Sequence, residues 1–433
     1  MTLQKIIIPL ALLCMVVTAS AQTTLTLRQT LRQVRENSPA LRVERLNINA
    51  AQADQTTANL RANPVLNNQT LFQLKQAPGA LSPAPGAEGV GVLNRQRRQF
   101  WLQATKEFDI HGKRTYRNRF AEANTNLAVR SVAETERGLL FDAANRYLDA
   151  WYARVQLALL QRAKANVDTL VQLNRVRLKD LVITSTDLTR TQLISDQYDI
   201  QTRTAQQDLR NRLNDLRLVI GAADTINVAL NDSIINPAFA NPLSLYPVMN
   251  ASADSLLGLA ATTRTDVRVA EANIESARRN VDLQQVLAKP RNEAGLIWNP
   301  QNSVPYAGVF LTIELPVYTR NQGEIQKSRV LQEQAGQAAA LVQAQIRAEV
   351  TNAYQSFATS RENIERYIGI RRDADKVLAS VRYAYLRGAT TLIDLLQAQT
   401  SWFDTQTAYY QALYTHRQNY VRLLYVTGQI NAY

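Results

Sequence analysis

The residues that could do chemistry are few. Two histidines, His111 and His416, stand far apart on different elements, and neither has neighbours at metal-ligand spacing. His416 falls on an apolar helical stripe, where it reads as a hydrogen-bonded packing residue, and His111 falls at a strand-to-helix junction. Gly86, Gly89 and Gly91 hint at a phosphate loop, but no Lys-Ser/Thr follows and no strand-loop-helix unit frames them, so they read as a loop. Asp187 and Asp394 invite reading as a carboxylate pair, yet each opens a helix, where a carboxylate suits the dipole. The single cysteine, Cys14, lies in an N-terminal leader, so the mature chain has no disulfide, thiolate or cysteine metal site. No catalytic constellation and no cofactor site emerges, and the expectation is a protein that is not an enzyme.

The elements that carry these residues are long. The chain has 433 residues with 15 Gly, 13 Pro and 46% apolar residues, a composition for packed structure. Met1 to Ala21 reads as a signal peptide: Lys5, an apolar stretch from Ile6 to Val17, and an Ala19-Ser20-Ala21 cleavage site, with Ala19 and Ala21 as its small residues. Leu13 before Cys14 is too large for a lipoprotein acylation site. The formal charge of +13 falls to +12 once Lys5 is removed. Export, and arginines scattered among acids, argue against nucleic acid as the partner.

Prolines set the organisation, because helix interiors tolerate them poorly. None occurs between Pro85 and Pro237 or after Pro316. Each proline-free block has helical spacing and one tip stretch, LVITSTDLTRTQL from Leu181 or RGATTLIDLLQAQ from Arg387, so each reads as two helices folded back on each other. At the second tip Gly388 ends one helix, Thr390 or Thr391 caps the next, and Asp394 lies in its first turn. Leu392, Leu395, Gln399, Trp402, Gln406, Tyr409, Leu413, His416, Tyr420 and Leu423 then follow a coiled-coil stripe. Val350, Tyr354, Phe357, Ile364 and Ile368 form its counterpart upstream.

The plan occurs twice. Pro64 and Pro290 stand 226 residues apart, whereas Phe108 and Leu315, or Asp187 and Asp394, stand 207 apart. The difference of 19 residues falls in the loop QAPGALSPAPGAEGVG of the first copy. The expected divisions are a signal peptide at 1–21, a first repeat at 22–220, a linker at 221–261, a second repeat at 262–427 and a tail at 428–433.

Between the helices the pattern changes to strands, at about 64–74 and 100–110 and again at about 291–299 and 306–315, the last two joined by PQNSVP. Their length is that of a tilted membrane strand, about 9–11 residues. Phe72, Trp101, Phe108, Trp298, Tyr306, Phe310 and Tyr318 are suited to an interfacial girdle. Four strands cannot close in lipid without open edges, so several copies must share a barrel, and three would give twelve strands around a lumen.

These residues resemble the TolC-like outer-membrane efflux proteins over nearly the whole mature chain. The two tips and the strand-to-helix passage LPVYTRNQGEI at 315–325 carry the resemblance. It implies an α+β membrane protein: a homotrimer whose 12-stranded β-barrel in the outer membrane continues into a periplasmic α-helical coiled-coil barrel. It implies an efflux channel, a passive duct that meets a periplasmic adaptor at the tips and through it an inner-membrane pump. Leu181, Val182, Thr184, Asp187, Arg387, Gly388, Thr390, Leu392 and Asp394 are the docking residues expected on this basis. The passage FDIHGKR at 108–114 looks like the heavy-metal cation efflux branch. Relatives with a lipidated N-terminal cysteine or an acidic tunnel gate differ from this chain, which has no such cysteine and places Lys376, Ala379 and Arg382 before the second tip. Lys376 and Arg382 are the expected constriction residues. The alternative is a periplasmic coiled-coil adaptor or scaffold without a barrel.

Overall fold

In the computed structural model the described residues are 23–72, 98–222, 226–229, 252–301 and 304–432. The expected signal peptide with its cleavage site, the Pro/Gly-rich loop and the proline-bearing part of the expected linker lie outside them.

The first copy opens with β1 (Thr23–Leu25), α1 (Leu27–Asn37) and α2 (Pro39–Asn59). A capping box between Thr26 and Gln29 starts α1, and Pro39 at the first position of α2 suits a helix start. The two helices meet at a bend at Ser38. β2 (Val65–Phe72) and β3 (Arg98–Phe108) follow, then α3 (Lys113–Lys179) and α4 (Ser185–Ile220). After β4 (Ile226–Val228), the second copy runs α5 (Ala253–Thr263), α6 (Thr265–Leu287), β5 (Asn292–Gln301), β6 (Val304–Ile313), α7 (Gln322–Leu386) and α8 (Leu392–Val426), closing on a 3-10 turn, Gln429–Ala432. The bend at Arg264 lies 226 residues after that at Ser38. The stretch expected to be a linker therefore contains β4, which pairs in parallel with β1, and most of α5.

With 67 residues, α3 spans about 100 Å. The returning α4 has only 36. One half of α3 therefore packs on α4, and α2 and α6 cover the rest. Every residue of the predicted stripe on α8 is buried. On α7, Val350, Phe357 and Ile364 are buried at seven-residue spacing, and the row continues at Arg371, which stacks on Tyr409 at 4.6 Å. Ile368 departs from expectation: it lies on the flanking row with Tyr354 and is 49% exposed.

The strands form one antiparallel sheet in the order β2-β3-β5-β6, so β3 against β5 joins the two copies. The segment PQNSVP is mostly ladder rather than loop, with Pro300 opposite Pro305 and Gln301 opposite Val304. Among the described residues β2 and β6 each have one unpaired edge.

Two glycines close the copies. Gly221 (φ +72°) and Gly428 (φ +71°) end α4 and α8. A Cβ on Gly221 would lie 2.6 Å from Asn37 O, and one on Gly428 would lie 2.7 Å from Thr263 Oγ1 and 3.0 Å from Thr263 C. Each return helix thus ends against the bend of its own copy.

Candidate functional site

Three regions could act outside the fold: the tips, the sheet faces and an ionic cluster between them. At the first tip α3 stops at Lys179 and Leu181 takes φ +59°. Its N–H donates to Leu178 O, and Val182 N–H to Arg177 O. Thr184 then caps α4: its hydroxyl accepts from Asp187 N–H (3.1 Å), and the Asp187 carboxylate accepts from Thr184 N–H (3.2 Å). The second tip repeats this pattern, Gly388 (φ +77°) to Tyr385 O, Ala389 to Ala384 O, and Thr391 capped reciprocally with Asp394. Thr391 is the N-cap, while Thr390 donates a further hydroxyl hydrogen bond to Asp394 (2.8 Å). Donation from the Thr391 and Thr390 hydroxyls and the Thr391 amide holds the Asp394 carboxyl below the usual range.

The twin tips differ in one respect. Left-handed backbone is natural for Gly388 and costs about 1–2 kcal/mol at a leucine. Leu181 is 88% exposed, so no burial compensates. Leu392, grouped with the docking residues from sequence, is instead buried with Tyr385, Leu395 and Leu396. Arg387 stacks on Tyr383 at 4.7 Å. Lys376 and Arg382 are exposed on α7, with Lys376 3.4 Å from Asp373.

A buried polar chain joins the hairpins near the tips: Tyr385 Oη donates to Asn174 Oδ1 (2.8 Å), and Asn174 Nδ2 to Thr191 Oγ1 (3.0 Å). Sequence reasoning missed it, although polar residues inside an apolar helical interface were the available signal. His416 is a packing residue, stacked on Phe357 at 4.8 Å with Nδ1 3.0 Å from Ser360 Oγ. Burial, helped by Arg417 and Arg361, pushes its pKa down to about 3. His111 is exposed at the junction, where Asp109 accepts from the backbone N–H groups of Lys113 and Arg114 (2.6 Å each) at the start of α3. Among the described residues no three His, Cys, Asp or Glu side chains form a metal site, and no helix is long and apolar enough to cross a membrane.

The ladder register sorts the sheet into two faces, since partners across strands share a face. One face carries the rows Leu66-Ala104-Leu296-Val309, Asn68-Leu102-Trp298-Ala307, Lys106-Ala294-Leu311 and Phe108-Asn292-Ile313. It is mostly apolar yet open to solvent, with Val309 82% exposed. The other is mixed, with Asn67-Gln103-Ile297-Gly308, Val65-Thr105, Glu107-Glu293-Thr312 and Asn299. Like charges directly opposite repel, and Arg291 bridges them, 3.2 Å from Glu107 and 3.0 Å from Glu293. The expected girdle divides accordingly. Phe108 and Trp298 share the apolar face, but Trp101, Tyr306 and Phe310 have the opposite parity and stand on the polar face, Phe310 over Gly295. The side chain of Phe72 lies outside the described set, and Tyr318 follows the sheet, 91% exposed.

Between tips and sheet lies a buried ionic cluster. Arg137 and Arg264, 1% and 3% exposed, share Asp266. Arg137 also meets Glu134 (2.7 Å) and Arg264 meets Glu349 (2.6 Å). Both donate to carbonyls at the end of α8, Arg137 to Tyr425 O (2.9 Å) and Arg264 to Val426 O (3.3 Å). Burial alone would raise the Asp266 pKa; the hydrogen bonds and charge of Arg264, with Arg137 behind, more than offset it and hold it low.

A family model described as outer membrane efflux protein matches residues 256–429. No curated protein matches the sequence. Among solved structures the fold is similar to CusC, with a TM-score of 0.74 at 17% identity, covering 93% of this chain and 92% of that one. It is similar to the CmeC outer membrane channel of Campylobacter jejuni, with a TM-score of 0.73 at 13% identity, covering 93% and 85%. For the MtrE outer membrane channel of Neisseria gonorrhoeae the values are 0.69 at 17%, covering 93% and 88%. Identities this low and this even do not single out a branch, so the heavy-metal expectation gains no support. Residues 256–429 match the outer membrane efflux protein model, and the chain as a whole has the fold of the TolC-like outer-membrane channels.

Proposed function

We propose that the protein is the outer-membrane channel of a tripartite efflux system, a passive exit duct for substrates delivered by an inner-membrane pump through a periplasmic adaptor. The observation that carries this reading is the sheet: a solvent-open, mostly apolar face on strands of membrane length, a more polar opposite face, and unpaired edges at β2 and β6. In lipid an unpaired edge is untenable. Pairing β6 of one copy with β2 of the next removes both edges, and three copies enclose a twelve-stranded lumen lined by the polar face. The helices then run from the barrel into the periplasm and present six tips, two per copy, to the adaptor.

The adaptor-without-barrel alternative is not favoured, because the fold likeness to outer-membrane channels spans 93% of the chain. Native mass spectrometry of detergent extracts and conductance in planar bilayers test the proposal. A trimer that conducts is expected. A stable water-soluble monomer in the periplasmic fraction would overturn it.

A further inference from the structure

A cavity of about 410 Å³ lies at the foot of the sheet, where α3 begins, α6 ends and the passage at 315–325 leads into α7. It falls within the range of small-molecule sites, about 300–1,000 Å³. Six charged side chains line it, Lys113, Arg117, Lys289 and Arg291 against Glu107 and Glu314, so four cations face two carboxylates with a net charge of +2. Arg291 is engaged by Glu107 and by Glu293 outside the lining, while Lys113 Nζ donates to the neutral Lys289 O (2.8 Å). Among the described residues no carboxylate pairs with the side chains of Lys113, Arg117 or Lys289. The fold gains little from these charges. There is no acid in the first turn of α3, where the helix dipole disfavours a cation such as Lys113, and Arg117 and Lys289 are exposed. The wall beside them is fixed, since Asn321 Nδ2 donates to Gln284 O (2.9 Å) and Gln284 Oε1 (3.0 Å).

We infer that this cavity is a transit site for oxyanions: Lys113, Arg117 and Lys289 hold the carboxylate or phosphate group of a substrate as it passes from the helical tunnel into the barrel. The inference rests on the proposed channel function and names its substrate class. The cavity opens on the duct side, because Arg291 and Glu314 extend the face of Glu107 and Glu293 by one rung, with Glu314 N–H donating to Arg291 O (3.0 Å). In a trimer the cavities form a ring at the entrance to the barrel. A recess lined by an excess of one sign of charge concentrates counter-ions, and guanidinium and ammonium donors suit oxyanions. Glu107 and Glu314 temper the field, so an anion is held briefly rather than trapped. A cation meets the same field as a barrier.

The test uses the purified trimer in planar bilayers of zwitterionic phosphatidylcholine. Under a steep KCl gradient the reversal potential is expected to show chloride preferred over potassium by about threefold or more. Inorganic pyrophosphate is expected to block the chloride current. In the double variant Arg117→Gln/Lys289→Gln the chloride preference falls and the half-blocking concentration rises about tenfold, corresponding to about 1.4 kcal/mol, whereas Glu314→Gln shifts both the other way. Lys106→Gln removes one cation from the opposite, apolar face of the sheet and leaves both unchanged. A potassium-preferring wild type, no block by pyrophosphate, or an unchanged block in the double variant would each overturn the inference. So would an equal loss in Lys106→Gln, which makes the effect one of net charge, or loss of the block on adding phosphatidylglycerol, which makes the occupant a lipid headgroup. A wild-type protein that is not trimeric, or that conducts no current, overturns the channel function itself, which native mass and total conductance report separately from selectivity.

Discussion

Of the four described glycines with a left-handed backbone, the three that follow long helices differ in surroundings, so alanine at each separates strain from collision. Gly221, Gly388 and Gly428 have φ of +72°, +77° and +71°. Alanine in that region costs about 1–2 kcal/mol, and loss of chain entropy in the unfolded state returns about 0.4–1 kcal/mol. At Gly388 the new Cβ meets nothing within 4 Å, so Gly388→Ala is expected to cost only about 0.5–1 kcal/mol. At Gly221 the Cβ lies 2.6 Å from Asn37 O and 2.8 Å from Pro39 Cδ. Both belong to the stiff bend between α1 and α2, and moving them adds about 1–3 kcal/mol. Gly428→Ala presses on Thr263 Oγ1, which is held by hydrogen bonds to Thr427 O (2.7 Å) and Leu259 O (2.8 Å), and on the Thr263 backbone. Both are expected to lose about 2–4 kcal/mol locally. Hydrogen-exchange mass spectrometry reads this as exchange about 30- to 800-fold faster in peptides covering 35–45 and 260–268 respectively. Equal acceleration in all three variants, or a larger effect at the Gly388 tip, would refute the reasoning.

Asp266→Ala removes the carboxylate shared by two buried arginines and is expected to destabilise by about 3 kcal/mol, the low end for a broken buried pair because Glu134 and Glu349 remain; thermal melts report it. Since Asp266 is held below its unfolded value near 3.9, its contribution is present above that value and is lost as pH falls through its lower folded value. Wild type and Asp266→Ala should therefore converge in stability only in strong acid. Leu296→Arg on the apolar face is expected to cost about 2–4 kcal/mol in the membrane and to block assembly, whereas Gln103→Arg on the polar face leaves the trimer intact by native mass. Gly388→Val is expected to weaken pump-dependent efflux with assembly retained, and loss of the trimer in that variant would make the tip a folding element.

Much of the architecture was legible because it rests on local chemistry. A proline-free run of helical period, a Thr-x-x-Asp box and a glycine where the chain reverses are all visible in one dimension, and the repeat offset located strands and tips. The bends at Ser38 and Arg264 were less legible. Pro39 permits a helix start but does not announce a break, and Arg264 shows none of its burial in the sequence. The pairing of Arg137 with Asp266 depends on packing α3 against α6, and scattered arginines read as a solvated surface. The aromatics were overcounted because the choice of face follows from parity within a strand, which needs the ladder register. The left-handed backbone at Leu181 has no signature in its residue type; only alignment with Gly388 exposes it.

The ionic cluster has a mechanical consequence. From Arg137 to the end of α3 at Lys179 is about 63 Å of continuous helix, which makes the helix a rigid beam pivoted near its middle. A rotation of about 1° at Arg137 sweeps the far end by about 1 Å, and a rotation of about 5° by more than 5 Å. A rearrangement of the two guanidiniums among the three carboxylates that tilts the helix by a few degrees would displace its far end by about the width of a side chain.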